Sequence, residues 1–287
     1  MTKPDNGLKI TGPVSPLAPL ATGLEPGGRL ERPLRAILFD VYGTLFISAS
    51  GDISTARSQP AVNRQVADLL AETGREETPT ELYQQFREAI AAAHARRKEE
   101  GIDYPEVEID RIWAKVLKLD DLAEARKFAL DFEMAVNPVY PMPHAAELLR
   151  QIRSIGLPAG IISNAQFYTP LIFEYFLDGL PEETWAAPDL VFYSYRHGYG
   201  KPSRYMFEKA VAALKDRQIN PDQVLYLGND QRNDIRPARA CGFQTALFAG
   251  DARSLRLRET DQQDAGIQPN LIITDLAQLA PHLPRSG

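Results

Sequence analysis

Only one of the 287 residues is a cysteine, Cys241, so no disulfide can form within the chain. That suits a reducing compartment. Cys241 precedes Gly242 at an expected helix end and reads as a packed thiol rather than a nucleophile. Histidine is scarce as well: His94, His144, His197 and His282 lie apart, none at metal-ligand spacing from another. Positive charge is in deficit, and a net charge of −6 leaves no footprint for nucleic acid. The cluster Arg96-Arg97-Lys98-Glu99-Glu100 is mixed in sign and reads as a solvated helix face. No apolar run is long enough to span a membrane, and the N-terminus lacks the apolar region of a secretory signal. These absences set the expectation of a cytoplasmic protein with neither nucleic acid nor membrane as partner. Oligomeric state leaves no mark in the sequence.

What is present is apolar mass, 44% of the residues, enough for one large core and a smaller domain. Residues 1–33 are rich in Pro and Gly and cannot bury a core, so a tail is expected there, disordered or draped over the rest. Then comes Ala36-Ile-Leu-Phe-Asp40-Val-Tyr42-Gly43-Thr44. Such an apolar run suits a strand buried on both faces of a parallel sheet, with Asp40 at its carboxyl end, where crevices form. The plainer reading of Asp40 is a turn residue bonding its own backbone. From Thr44 to Arg57, with Ser50-Gly51-Asp52 in the middle, a short hairpin or flap is expected.

From Ala61 to Val136 the apolar residues recur at helical spacing, as in Val62, Val66, Leu69 and Leu70, or Ile109, Ile112, Trp113 and Val116. Thr78-Pro79-Thr80-Glu81 marks a helix start, and Gly74 and Gly101 mark breaks. Residues 58–139 therefore read as an all-helical insert, with 34–57 and 140–287 forming the main domain. After Pro141, strands and helices alternate: strands at 159–163, 190–194, 224–227, 245–248 and 271–273, helices between them. That alternation predicts an α/β fold, a doubly wound parallel sheet of Rossmann-like kind.

Three further stretches follow or end apolar runs: Ser163-Asn164, Gly200-Lys201-Pro202, and Gly228-Asn229-Asp230-Gln-Arg-Asn233-Asp234. Each has an ordinary alternative: Ser163 as a helix N-cap, Lys201 as a surface lysine, the last acids as caps of the helix that ends at Gly242. Together with Asp40 they run acid, Ser, Lys, acids, and this order over about residues 35–250 resembles the haloacid dehalogenase-like hydrolase superfamily.

The resemblance implies that Asp40 is a nucleophile forming a covalent intermediate, with Ser163 and Lys201 completing the catalytic set. It implies that Thr44, Ser163, Asn164 and Lys201 hold phosphate oxygens, and that the helical insert is a cap closing over the site. An insert that only adds stability is the plain alternative. For Mg²⁺ it implies Asp40, the backbone carbonyl of Tyr42, and ligands drawn from Asn229, Asp230 and Asp234, whose register stays open: Asn229 in place of the first acid with Asp234 as the second, or Asp230 with Asp234. Two departures stand out. Superfamily phosphatases usually carry a second aspartate where Tyr42 stands, and dehalogenases of the superfamily carry a tyrosine there and work without metal. The last motif, conversely, lacks the dehalogenase pattern. A Mg²⁺-dependent phosphatase of a small organic phosphate is expected. The alternatives are a hydrolytic 2-haloacid dehalogenase and a binding protein whose catalysis has decayed.

Overall fold

In the computed structural model, residues 7–11, 13–50, 60–258 and 266–284 are described. A seven-stranded sheet is built from β1 (Gly27–Gly28), β2 (Ala36–Phe39), β5 (Ala159–Ser163), β6 (Val191–Tyr193), β7 (Val224–Gly228), β8 (Gln244–Phe248) and β9 (Leu271–Ile273). Its order is β1-β9-β8-β7-β2-β5-β6, parallel throughout except for β1 at the edge. β2 is central and fully buried, as its unbroken apolar run requires. The chain leaves β2 toward β5 and β6, then returns to β7 on the other side of β2. That reversal opens a crevice at the carboxyl ends of β2 and β7.

Alternate strand residues feed two cores. Ile37, Phe39, Leu225 and Leu227 face one side, which also receives α5 (Ala145–Ser154) and α6 (Thr169–Phe176). Ala36, Leu38 and Tyr226 face the other, against α7 (Tyr205–Asp216) and the short α8 (Arg236–Ala240). Helices cover both faces, and the sheet is doubly wound.

Between β2 and β5 the chain makes four helices: α1 (Pro60–Glu72), α2 (Pro79–Glu99), α3 (Ile109–Leu117) and α4 (Leu122–Val136). The start of α2 is a capping box: Thr78 Oγ1 accepts from the Glu81 N–H, and the Glu81 carboxylate accepts from the Thr78 N–H. Trp113 is buried at their centre, stacked on Phe86 at 4.2 Å and 4.6 Å from the Phe132 ring.

The expected flap takes another form in its described part. β3 (Phe46–Ser48) pairs antiparallel with β4 (Val139–Pro141), so the chain's exit to the four helices and its return form one two-stranded ribbon. Gly51 and Asp52, read as the turn of a local hairpin, lie outside the described residues. The Pro/Gly-rich stretch, in its described part, is held against the domain. The Leu20 N–H donates to Asp251 Oδ1 at 3.0 Å, Thr22 Oγ1 to the Ala249 carbonyl at 2.8 Å, and β1 pairs with β9.

Candidate active site

Asp40 follows β2 directly, and its N–H donates to the Leu227 carbonyl at 2.9 Å, which sets it beside the end of β7. The turn after it needs Gly43, whose φ is +81° and where a Cβ would lie 2.5 Å from Ser254 Cβ and 2.6 Å from Asn229 Nδ2. Gly228 serves closeness instead: a Cβ there would meet Asp234 Cγ at 2.4 Å.

Three charged side chains are packed in line. Lys201 Nζ lies 2.7 Å from Asp40 Oδ1 and 2.6 Å from Asp234 Oδ1, and all three residues are buried. Ser163 Oγ donates to the same Asp40 Oδ1 at 2.7 Å, so Oδ2 is left without a partner among the described residues. Lys201 Nζ also donates to the Tyr226 hydroxyl at 3.2 Å, itself 3.0 Å from Asp234 Oδ1. Asp234 Oδ2 accepts the Asp230 N–H at 2.9 Å. Burial pushes the Asp234 carboxyl up to about 7, against the pull of Lys201. Burial works against the Lys201 charge, but Asp234 and then Asp40 outweigh it and hold its pKa above the ordinary value. Two carboxylates share one ammonium away from water.

The other expected residues fall around this line. Asn164 holds the backbone of Lys201: its Oδ1 accepts the Lys201 N–H at 2.6 Å and its Nδ2 donates to the Lys201 carbonyl at 3.3 Å. Thr44 Oγ1 donates to Asn229 Oδ1 at 3.3 Å, and Asn229 Nδ2 donates to the Ser254 carbonyl at 2.6 Å. Asp230 caps the turn after β7, accepting the Arg232 and Asn233 N–H groups at 2.9 and 3.2 Å, and Arg258 pairs with it at 2.7 Å. The Tyr42 hydroxyl lies 2.8 Å from Thr169 Oγ1, and burial, then Glu133, push its pKa far above the phenolic value. A cavity of about 300 Å³ is lined by Asp40, Tyr42, Asn164, Lys201, Asn229 and Asp230, with Ser48, Asn233, Asp234, Ser254, Arg256 and Arg258. His197 packs between the Phe192 and Tyr205 rings instead of lining it. Cys241 is half-buried, its thiol pushed up to about 11 by burial, away from nucleophile range.

Sequence reasoning missed Tyr226, Ser254, Arg256 and Arg258. Tyr226 looks like an ordinary strand residue, and the other three sit in irregular chain after β8 with no motif to mark them. It also missed the docking of the α2–α3 loop onto the segments that carry Asn164 and Lys201. Pro105 bridges to Tyr199, the Gly200 N–H donates to the Tyr104 carbonyl at 2.7 Å, and the Glu106 N–H to the Gly198 carbonyl at 3.1 Å. The Glu106 carboxylate accepts from Ser194 Oγ at 2.8 Å and Gln166 Nε2 at 3.3 Å, and burial raises its pKa.

Hard oxygen donors suited to Mg²⁺ can be tested against these contacts. Among the described residues, no group of three or more His, Cys, Asp or Glu side chains is placed to hold an ion. Asp230 is taken by Arg258 and backbone N–H groups, and Asp234 by Lys201, Tyr226 and the Asp230 N–H. Asp40 keeps Oδ2 for an ion and, among the described residues, Asn229 Oδ1 accepts only the long contact from Thr44, with the Tyr42 carbonyl a further oxygen beside Asp40 in sequence. One carboxylate, one amide oxygen and a carbonyl fit Mg²⁺ as an ion that keeps several waters.

Known proteins resemble this chain in sequence or in fold. Glyceraldehyde 3-phosphate phosphatase of Methanocaldococcus jannaschii is 24% identical over 240 residues, 80% of this chain and 89% of that protein. The structure of a 2-haloacid dehalogenase from Pseudomonas syringae pv. Tomato superposes with a TM-score of 0.57 at 19% identity, covering 87% of this chain and 97% of that one. A HAD phosphatase from Thermococcus onnurineus superposes with a TM-score of 0.52 at 16% identity, covering 86% and 97%. At such identities the superpositions speak for the fold. Residues 34–242 match the haloacid dehalogenase-like hydrolase family, and with that span the chain belongs to it and is a hydrolase.

Proposed function

We propose that the chain is a Mg²⁺-dependent phosphatase of a small organic phosphate, with Asp40 as its nucleophile. The observation that carries this is the asymmetry of Asp40: Ser163 and Lys201 both hold Oδ1, which leaves Oδ2 to attack. In the proposed reaction Oδ2 bonds to phosphorus as the ester P–O bond breaks, and the leaving oxygen departs as the alkoxide or aryloxide and takes its proton from water. Water then cleaves the aspartyl phosphate and restores Asp40. Lys201 and Ser163 balance charge on the phosphoryl oxygens. Thr44 orients the Asn229 amide, and Asn164 sets the Lys201 backbone. Asp40, the Tyr42 carbonyl and Asn229 Oδ1 would hold Mg²⁺, which neutralises phosphoryl charge when bound. The phosphatase named above as a relative supports this reading over dehalogenation.

One observation favours the dehalogenase as second reading. Tyr42 stands where a proton-donating aspartate is usual, and its hydroxyl is engaged with Thr169. The two readings separate in one experiment. The phosphatase releases phosphate from an aryl phosphate with Mg²⁺, stops in EDTA, and loses all turnover in Asp40→Asn. Halide release from a 2-haloacid, indifferent to EDTA and without phosphate release, would overturn it.

A further inference from the structure

The loop that follows β8, residues 249–258, lies at the sheet's carboxyl edge and lines the same cavity as Asp40 through Ser254, Arg256 and Arg258. It is pinned from beneath. Asp251, 2% exposed, accepts the N–H groups of Leu20 and Arg253 and the Arg253 guanidinium, while the Ala252 N–H donates to the Leu20 carbonyl. The Arg256 N–H donates to the Asn229 carbonyl at 3.0 Å and its carbonyl accepts the Gln231 N–H at 2.8 Å, which ties the loop to the turn after β7. A loop held at both ends presents its side chains without having to be ordered first.

Ser254 is 5% exposed, and among the described residues its Oγ has no hydrogen-bond partner. Buried hydroxyls are rarely left so. This one is beside the nucleophile turn, where a Cβ on Gly43 would meet Ser254 Cβ at 2.5 Å. Two guanidinium groups accompany it. Arg258 pairs with Asp230. Arg256 Nη1 donates to the Arg253 and Leu255 carbonyls at 2.8 and 3.0 Å, and among the described residues no carboxylate meets its guanidinium. At this end of the cavity Arg256 and Arg258 stand beside Asp230. The other end, at Ser163 and Lys201, lies across β2 on the β5 side. The cavity thus offers oxygen-binding groups on both sides of Asp40.

We propose that Ser254 and Arg256, with Arg258 beside them, form an oxyanion subsite that receives a second anionic group of the substrate, a carboxylate or a second phosphate. The inference rests on the phosphatase reading above and narrows it to small phosphates carrying two anionic ends. Charge-assisted hydrogen bonds from a guanidinium and a buried hydroxyl discriminate such a group from a neutral hydroxyl of similar size.

Calorimetric binding to Asp40→Asn protein with Mg²⁺ tests this without turnover, using 2-phosphoglycolate, ethane-1,2-diyl bisphosphate and 2-hydroxyethyl phosphate. One or both dianionic-ended ligands bind about tenfold or more tighter than the hydroxyethyl ester, a factor of about 1.4 kcal/mol. Which of them leads identifies carboxylate or phosphate as the group received. Adding Ser254→Ala or Arg256→Met collapses that preference to about twofold or less, while Arg256→Lys keeps part of it. Thermal melts of each variant confirm that the fold persists. Equal affinity for all three ligands, an equal loss for all three in the variants, or no binding at all would overturn the subsite. Failure of the phosphatase reading alone looks different: the preference is present, yet wild-type protein releases no phosphate.

Discussion

Lys201 is the residue on which the site's electrostatics turn, since its ammonium lies between Asp40 and Asp234 at 2.7 and 2.6 Å, out of solvent. Lys201→Met leaves two buried carboxylates facing one another without a cation. Breaking a buried pair in this way costs about 3–5 kcal/mol. Adding Asp234→Asn removes one of the stranded charges, so urea melts of the double variant recover most of that loss. Turnover stays lost in both, because the ammonium is gone. A double variant no more stable than Lys201→Met would show that the coupling is not electrostatic. Tyr42 bears on the leaving group. Its pKa is pushed away from neutrality by burial and by Glu133, so it offers no proton to a departing alkoxide. General acid catalysis is worth about 10²- to 10⁴-fold. Aryl phosphates, whose leaving groups are weaker bases, are therefore turned over faster than alkyl phosphates by a factor in that range. Comparing phenyl and ethyl phosphate at saturating Mg²⁺ checks this.

Elements differ in how far they were legible, and the reason is range. The strands β2 and β5 to β9 and the helices around them follow from apolar runs and periodicity, which are local signals. The helix start at Thr78-Pro79-Thr80-Glu81 was read the same way, and the structure shows it as a capping box. The β3–β4 ribbon was not, because its partners, Phe46–Ser48 and Val139–Pro141, are separated by the whole helical insert. Nor was the α2–α3 loop, whose bonds run from Glu106 to Ser194 and Gln166. That loop braces the segments carrying Asn164 and Lys201, and its loss should be felt as misplacement. Glu106→Ala removes one acceptor from each of Ser194 and Gln166, which keep the Ala165 and Val107 carbonyls, costs about 1 kcal/mol of stability, and lowers kcat as well. Trp113→Ala, in the helical core and away from the cavity, costs about 3–5 kcal/mol but leaves kcat of the folded fraction near wild type. Equal kcat in the two variants would argue that the loop positions nothing.

For the whole molecule, Asp40, Ser163, Lys201 and the acids after β7 were legible because each lies at or in the segment after a strand of one sheet, and a parallel sheet gathers those ends at one edge. What surrounds them was not. Glu106, Glu133 and Asp234 are buried carboxyls from the α2–α3 loop, α4 and the turn after β7, and nothing local predicts their desolvation. In Glu106 and Glu133 alike burial raises the pKa above the usual carboxylate value, against hydrogen bonds that pull it down, and in Asp234 burial raises it to about 7. All three shifts have the same sign, so the folded chain binds protons more tightly than the unfolded one. The stability they contribute is complete below the unfolded carboxyl pKa, about 4. It is lost as pH rises through the folded values. Below pH 8 Lys201 does not offset this, because its raised pKa acts only in the alkaline range above its ordinary 10.5. His94 and His197 act in the opposite sense, because burial lowers their pKa and stability is gained as pH rises toward the ordinary histidine value. The test is therefore a difference: urea melts of wild type and variants should show which part of the pH dependence between about pH 4 and pH 7 disappears with each carboxyl. Glu106→Gln and Glu133→Gln keep the shape and remove the titration, so each flattens that slope. Asp234→Asn removes the fall that its carboxyl contributes between about pH 4 and pH 7. A slope untouched by all three substitutions would mean that these carboxyls are ionised in the folded protein.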